Sequence, residues 1–330
     1  MKVVIPLAGF GTRLRPHTYT KPKPLLNVAG KPVLGHILDQ LRGIDLDEVI
    51  FIVGYLGDQI REYVEANYQF PSRYFEQKEL LGQAHAIWLA REAIEGPILI
   101  IFVDTIFEAN LLEIPEVDAD GILYVKEVAD PRRFGVAVTN DDGAVTRLIE
   151  KPADFAQRMA VVGVYHLRDG AWLNRAIEQL MAENRQTKGE FYLADAFQVM
   201  IEQGARFVTR TVDVWEDCGK PETVLHTNRY LLEHNGEHVG QARIENSTII
   251  QPVYIADNAC IKGSIIGPFA TIAGGACVQN ALIRDSIVDE DAIIEDTMLC
   301  ESLIGKGALV RGSYRKLNVG DSSQVDFSAT

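Results

Sequence analysis

Apolar positions in the first part of the chain fall into short continuous runs separated by segments with helical spacing. Val3–Leu7 is one such run, as a strand buried on both faces requires. Leu34, Ile37, Leu38 and Leu41 follow at i, i+3, i+4 and i+7, forming one face of a helix that Gly43 can end. Glu48–Val53 reads as a second strand, and Ile60, Tyr63 and Val64 mark the inner face of the next helix. A third strand is expected around Tyr74–Gln77, a helix from near Gly82, and a fourth strand over Ile98–Val103. This alternation predicts an α/β fold with a doubly wound, mostly parallel sheet, Rossmann-like in its layering. Ligands in such sheets bind beyond the carboxyl ends of the strands, so chemistry is expected just after Leu7 and just after Val103.

The last part of the chain has a different period. Aliphatic residues return at Ile249, Ile255, Ile261, Ile266, Ile272, Val278, Ile283, Val288, Ile294, Leu299, Ile304 and Val310, in steps of five or six. A helix repeats near 3.6 and a simple strand at 2, so neither accounts for this spacing. A hexapeptide parallel β-helix does, because each apolar residue points inward from one face of a coil and stacks on the next. Irregular strands in a sandwich are the competing reading. Between the two parts, Pro221 to about His234 is helix-like and leads to Asn235-Gly236, where the linker is expected. The chain is thus divided into residues 1–236 and 237–330.

With 330 residues, 47% hydrophobic and 24% charged, there is material for two cores. The excess of 46 acidic over 32 basic side chains gives −14, which disfavours a nucleic-acid partner but leaves room for a small phosphorylated one. Cys218, Cys260, Cys277 and Cys300 show no metal spacing, and those of the repeat are expected as small buried hydrophobes. Reduced thiols, the lack of a signal-like start and the lack of a membrane-length apolar run predict a cytoplasmic protein.

The richest segment runs Leu7-Ala8-Gly9-Phe10-Gly11-Thr12-Arg13-Leu14-Arg15-Pro16, then Thr20-Lys21-Pro22-Lys23-Pro24-Leu25-Leu26. It follows a predicted strand at once. Gly9 and Gly11 let backbone N–H groups approach a phosphate closely, while Arg13 and Lys23 add charge. Leu14 stands where a dinucleotide fingerprint needs its third glycine. The three Gly-Lys pairs, at Gly30, Gly219 and Gly305, lack the Ser or Thr of a P-loop.

This run, G-x-G-T-R-L-R-P-x-T-x-x-x-P-K-P-L from Gly9 to Leu25, resembles the signature loop of the sugar-1-phosphate nucleotidyltransferases, particularly the glucose-1-phosphate thymidylyltransferases. Further family features recur in order over nearly the whole chain, including the left-handed parallel β-helix of longer members. The resemblance implies that Leu7, Ala8, Gly9, Gly11, Thr12 and Arg13 bind the triphosphate, with Arg13 steadying pyrophosphate and Lys23 near the reacting phosphates. It implies that Gln77 and the Gly82 backbone read a pyrimidine edge. On the sugar side it points to Gly135, Glu150, Lys151 and Gly163, with Glu150 on hydroxyls and Lys151 on the sugar phosphate. Asp104 and Asp217, the latter in Trp215-Glu216-Asp217-Cys218-Gly219-Lys220-Pro221, would hold one Mg²⁺, although Val103 replaces the usual Gly before Asp104.

The expected partners are a nucleoside triphosphate, dTTP or UTP, and a sugar 1-phosphate such as glucose 1-phosphate. The products are a nucleotide sugar and pyrophosphate. Other outcomes of the same resemblance are an N-acetylglucosamine-1-phosphate uridylyltransferase and a catalytically silent regulatory subunit. His85, within the base-recognition stretch, is a weaker candidate for ligand contact; His17 and Trp215 are expected to be structural. Asp289-Glu290-Asp291 reads as a solvated face. Residues 239–330 contain no histidine to serve an acyltransferase, so the repeat is expected to serve homo-oligomer assembly or regulation.

Overall fold

The computed structural model describes residues 1–234, 236–313 and 319. It divides into two compact units, Met1–Tyr230 and Leu231–Thr330. Of the expected linker, Asn235 lies outside the described residues, as does most of the chain beyond residue 313.

The first unit opens with β1 (Lys2–Pro6), the short hairpin β2 (Asn27–Val28) and β3 (Lys31–Pro32), and α1 (Val33–Asp39). There follow β4 (Glu48–Val53), α2 (Gly57–Asn67), β5 (Ser72–Glu76), α3 (Gln83–Leu89), β6 (Ile98–Ile101) and β7 (Thr105–Glu108). Next come β8 (Gly121–Glu127), β9 (Gly135–Thr139), β10 (Val145–Glu150), β11 (Met159–Leu167), α4 (Gly170–Ala182) and α5 (Leu193–Glu202). The unit closes with β12 (Phe207–Thr211), β13 (Val214–Asp217) and α6 (Pro221–His234), the last of which spans the division.

The main sheet runs β10-β9-β11-β6-β1-β4-β5, with β8 and β12 branching from β11. The pairs β6–β1, β1–β4 and β4–β5 are parallel, as the alternating pattern predicts. The later strand β11 runs antiparallel to β6, which brings the second half of the unit against the first. Val3, Val4, Ile5 and the whole of β6 are fully buried, in keeping with strands covered on both faces. One helix is shorter than its apolar face suggests. Past Asp39 the bonds Gln40 N–H to Ile37 O, Leu41 N–H to Leu38 O and Arg42 N–H to Asp39 O tighten the winding, so α1 ends before Gly43 although Leu41 stays buried.

In the second unit, strands two or three residues long form three parallel sheets, the architecture of the expected left-handed β-helix. Ile261 pairs with Val278 and Val278 with Ile294, one coil apart, all essentially buried. The corners take left-handed backbone at Asn246, Asn280, Asp285, Asp291 and Asp296, residue types that tolerate positive φ. Ser264 and Ser286 each donate to a backbone carbonyl of their own coil and accept an N–H from the next.

Two expectations for this unit are corrected. Cys277 and Cys300 are exposed and Cys260 is half-buried, because the central residue of each outer three-residue strand is the one facing inward. Asp289 is buried rather than solvated, while Glu290 and Asp291 share Lys306 at 2.7 and 3.9 Å. Ile272 has no exposed surface, so Ile272→Ala should cost about 2–5 kcal/mol in urea unfolding. Lys262→Ala, at an exposed position on a neighbouring coil, should stay within about 0.5 kcal/mol.

Candidate active site

The cleft beyond the carboxyl ends of β1 and β6 has a volume of about 370 Å³ and is built around the glycine loop. β1 delivers the chain to Leu7, whose N–H donates to Ile52 O at 2.7 Å, so the parallel ladder holds the start of the loop. Leu7, Ala8, Gly9, Gly11, Thr12, Arg13, Lys23, Gln77, Gly82 and Asp104 all line this cleft, as do Val103 and Glu190. The two loop glycines differ in what they do. A Cβ at Gly9 would meet nothing within 4 Å, leaving that backbone open to a ligand. Gly11 is left-handed at φ 59°, and a Cβ there would lie 3.0 Å from Lys23 Cβ and 3.1 Å from Thr18 Cγ2. Thr18 Oγ1 donates to Gly11 O at 2.9 Å. Gly11 is therefore required for packing the loop onto the Lys23 segment.

Lys23 lies in a single 3-10 turn between Pro22 and Pro24, and its Nζ is 3.8 Å from Asp104 Oδ2. Asp104 sits in the turn between β6 and β7. β13 pairs antiparallel with β7, with Asp217 opposite Thr105 and Trp215 opposite Phe107. The Cys218 N–H donates to Asp104 O at 2.8 Å. The two aspartate-bearing segments are thus joined backbone to backbone. Gly219 N–H donates to Asp217 Oδ1 at 2.8 Å, and a Cβ on Gly219 would come within 3.2 Å of an Arg13 guanidinium nitrogen. Arg13, Lys23, Asp104 and Asp217 therefore converge. Val103 is not among the positive-φ residues, so no glycine geometry is needed before Asp104, and its buried side chain closes the cleft wall.

Gln77 is buried, and its Nε2 lies 3.3 Å from both Gly82 O and His85 Nδ1. His85 thus stands behind Gln77 and outside the cleft lining. Gly82 has φ 111° and no room for a Cβ, which would lie 2.5 Å from Phe191 O. Trp215 packs edge-on against Phe134 at 4.8 Å, a structural contact as expected.

The sugar-side candidates form a second group outside that lining. Gly135 opposes Glu150 across the β9–β10 ladder, and its missing Cβ leaves room for Glu150 Oε2. Burial pushes the Glu150 carboxyl above its ordinary range, opposed by the charges of Lys151 and Lys188. Lys151 takes φ 52°, donates its N–H to Phe134 O at 3.0 Å and holds Nζ 3.7 Å from Glu150 Oε1. Gly163, at a register shift in β11, accepts Phe102 N–H at 2.8 Å and so touches the strand leading to Asp104. The buried Tyr165 phenol is pushed up by burial first and then by the charges of Glu150 and Asp104, which links the two groups.

Two residues escaped the sequence reading. Glu190 lines the cleft, and Lys188 lies within electrostatic reach of Glu150. Both belong to the Thr187-Lys188-Gly189-Glu190 turn between α4 and α5, whose only local signal is a Lys-Gly pair. Glu190 was invisible because bonds between distant segments tie the turn to the cleft, Phe191 N–H to Leu81 O and Ala84 N–H to Phe191 O, both at 2.9 Å.

A doubly wound sheet, a glycine loop at a strand end and opposed basic and acidic side chains define a phosphate-handling α/β enzyme. The model of the nucleotidyl transferase family matches residues 2–234, and the chain belongs to that family. It is 31% identical to the low-salt glycan biosynthesis nucleotidyltransferase Agl11 of Haloferax volcanii, over 98% of this chain and 99% of that one. It is also 31% identical to a glucose-1-phosphate thymidylyltransferase of Streptomyces griseus, over the whole of both. A UTP–glucose-1-phosphate uridylyltransferase of H. volcanii, AglF, is 34% identical over 71% of this chain and 97% of its own. Among solved structures, a UDP-glucose pyrophosphorylase bound to UDP-glucose shares the fold at TM-score 0.63 and 21% identity, over 70% of this chain and 98% of that one.

Gly11→Ala should lower the melting temperature and weaken nucleotide binding together, since the new methyl strains φ and presses on Lys23. Gly9→Ala should leave melting unchanged while weakening binding, which calorimetric titration checks. Cys218 is fully buried and its thiol is pushed up to about 12, chiefly by burial. A thiol reagent near pH ~8 should therefore label Cys277 and Cys300 in the native protein and reach Cys218 only after unfolding.

Proposed function

We propose that this protein transfers a nucleotidyl group from dTTP or UTP to glucose 1-phosphate, in a Mg²⁺-dependent reaction that releases pyrophosphate. The observation that carries the reading is the convergence of Lys23, Asp104, Arg13 and the Asp217 strand end beside an open glycine backbone. The names of the Streptomyces griseus and AglF relatives share glucose 1-phosphate, which supports that acceptor.

A sugar phosphate has a second pKa near ~6 and is mostly dianionic at neutral pH, so it is already a nucleophile and needs no general base. Its oxygen attacks the α-phosphorus of the triphosphate in line. The bond from that phosphorus to the bridging oxygen breaks, and the electron pair leaves with pyrophosphate. The barrier is electrostatic. Two like unit charges about 4 Å apart repel by about 4 kcal/mol at an effective dielectric near 20, and several such pairs must be offset. In this reading Lys151 and Lys188 take the sugar phosphate, Lys23 the reacting phosphates and Arg13 the departing pyrophosphate. Glu150 accepts from sugar hydroxyls, and Gln77 with the Gly82 backbone orients the base.

Asp104 and Asp217 offer two hard oxygen ligands, which suits Mg²⁺. No group of three or more metal-ligating side chains occurs among the described residues, so triphosphate oxygens and water would complete the shell. Bound there, Mg²⁺ supplies charge compensation and alignment of the phosphates.

We assign residues 1–236 to catalysis and 237–330 to homo-oligomer assembly. Exposed Ile265, Ile293, Met298 and Leu309 on the outside of the β-helix support that assignment. No helix among the described residues is long and apolar enough to cross a membrane, and we place the reaction in the cytoplasm.

Pyrophosphate release with each pairing of triphosphate and sugar 1-phosphate tests the proposal. The highest kcat/KM is expected for glucose 1-phosphate with dTTP or UTP, and no release with any pair would overturn it. Asp217→Asn should reduce turnover by at least about a hundredfold with the fold intact by circular dichroism. Near-normal rates at saturating Mg²⁺ would remove Asp217 from the metal site. Arg13→Ala should lower kcat more than it raises the sugar-phosphate KM, and the reverse pattern would contradict its role.

A further inference from the structure

Two polar side chains on consecutive positions of α6, Thr227 and Asn228, are 0% and 1% exposed. A buried helical threonine ordinarily bonds back to a carbonyl of its own helix. Thr227 instead donates its hydroxyl to Asp217 O at 3.0 Å, outside the helix. Directly after Asp217, the Cys218 N–H holds Asp104 O at 2.8 Å. Asn228 Oδ1 accepts the Ala29 N–H at 2.8 Å, a wholly buried bond. Ala29 has φ 45° in the turn of the β2–β3 hairpin, which begins directly after the turn that carries Lys23. Lys23 closes the circuit through its 3.8 Å contact with Asp104. One turn of one helix thus grips the backbone of both segments that bear the opposed charges.

We propose that Thr227 and Asn228 are positioning residues for nucleotidyl transfer, Thr227 fixing the strand end that presents Asp217 and Asn228 fixing the hairpin that follows Lys23. The inference rests on the reading above that Asp217 is a metal ligand and that Lys23 faces the phosphates. Thr227 acts through a carbonyl one bond from the ligand's own Cα, so its loss changes where the carboxylate points without removing the carboxylate. Asn228 acts on the hairpin that follows the Lys23 turn. Without its acceptor the buried Ala29 N–H has to find another partner, and the left-handed turn that sets the exit direction of the Lys23 segment loosens.

The full chain carrying Thr227→Val, Thr227→Ser, Asn228→Leu or Asp217→Asn tests this. Removing a hydrogen-bond partner of a metal ligand typically weakens metal affinity about tenfold or more, and Thr227→Val should raise the half-saturating Mg²⁺ by about that factor. Binding of Mn²⁺ to the enzyme–nucleotide complex, titrated by electron paramagnetic resonance, should weaken equally, with the sugar-phosphate KM held within about twofold. Thr227→Ser keeps the hydroxyl and should restore both values. Asn228→Leu should raise the triphosphate KM with little change in metal demand. If Thr227→Val only lowers the melting temperature while Asp217→Asn abolishes Mn²⁺ binding, the positioning role is overturned and the site stands. If Asp217→Asn leaves Mn²⁺ binding intact, the site assignment fails and the inference with it. An unchanged triphosphate KM in folded Asn228→Leu removes Asn228.

Discussion

The antiparallel pairing of β7 with β13 is the contact on which the site depends. It sets Asp217 opposite Thr105, one residue from Asp104, and the Cys218 N–H bond to Asp104 O extends the pairing past the strand end. Without it the two carboxylates belong to unrelated parts of the chain. With it, the two acidic segments are joined by backbone hydrogen bonds, whose geometry is far stiffer than that of two free side chains. The ladder is short, from Val214–Glu108 to Asp217–Thr105, and Trp215 packed on Phe134 covers it. The same Phe134 accepts Lys151 N–H, so the contact that covers the strand pair also anchors Lys151.

Local patterns made much of this architecture legible. A continuous apolar run is enough to mark β1, β4 and β6, and a five-to-six-residue period identifies a β-helix because no helix or plain strand repeats that way. The glycine loop was legible as chemistry because its basic residues and prolines have fixed spacing. What could not be read is what depends on pairing between distant segments. The β7–β13 ladder leaves no periodic signal, and neither does the approach of Lys188 to Glu150. The role of Gly11 was half legible: its positive φ follows from a loop glycine, but its contact with Lys23 Cβ needs the fold. The repeat cysteines illustrate the limit of period alone. The period places Ile261 inside, yet only the three-residue strand length shows that Cys260 and Cys277 must then face out.

The net charge of −14 and a polyanionic substrate pair are reconciled locally. Screening limits the reach of surface charge to about 8 Å at physiological ionic strength, so distant acids matter little inside the cleft. The near field in the cleft comes from Arg13 and Lys23, and Lys23 is only 15% exposed. A partly buried ammonium acts through less water and so counts for more than the same charge on the surface. Burial raises the Glu150 carboxyl above its ordinary range, while the charges of Lys151 and Lys188 oppose that shift.

The backbone of those two lysines carries the argument one step further. Lys151 and Lys188 take φ 52° and 54°, a left-handed conformation that costs a side-chain-bearing residue about 1–2 kcal/mol. Neither is a glycine, and neither position needs a lysine for packing, since Lys151 is exposed at the end of β10. Such outliers persist where surrounding structure over-determines them, and they gather at functional sites. Here the Lys151 N–H bond to Phe134 O and the Thr187–Glu190 bridge supply that constraint. Lys151 holds its Nζ 3.7 Å from Glu150 Oε1, and the charge of Lys188 acts on the same carboxyl. Both strained positions thus bring a positive charge to one partly buried carboxyl.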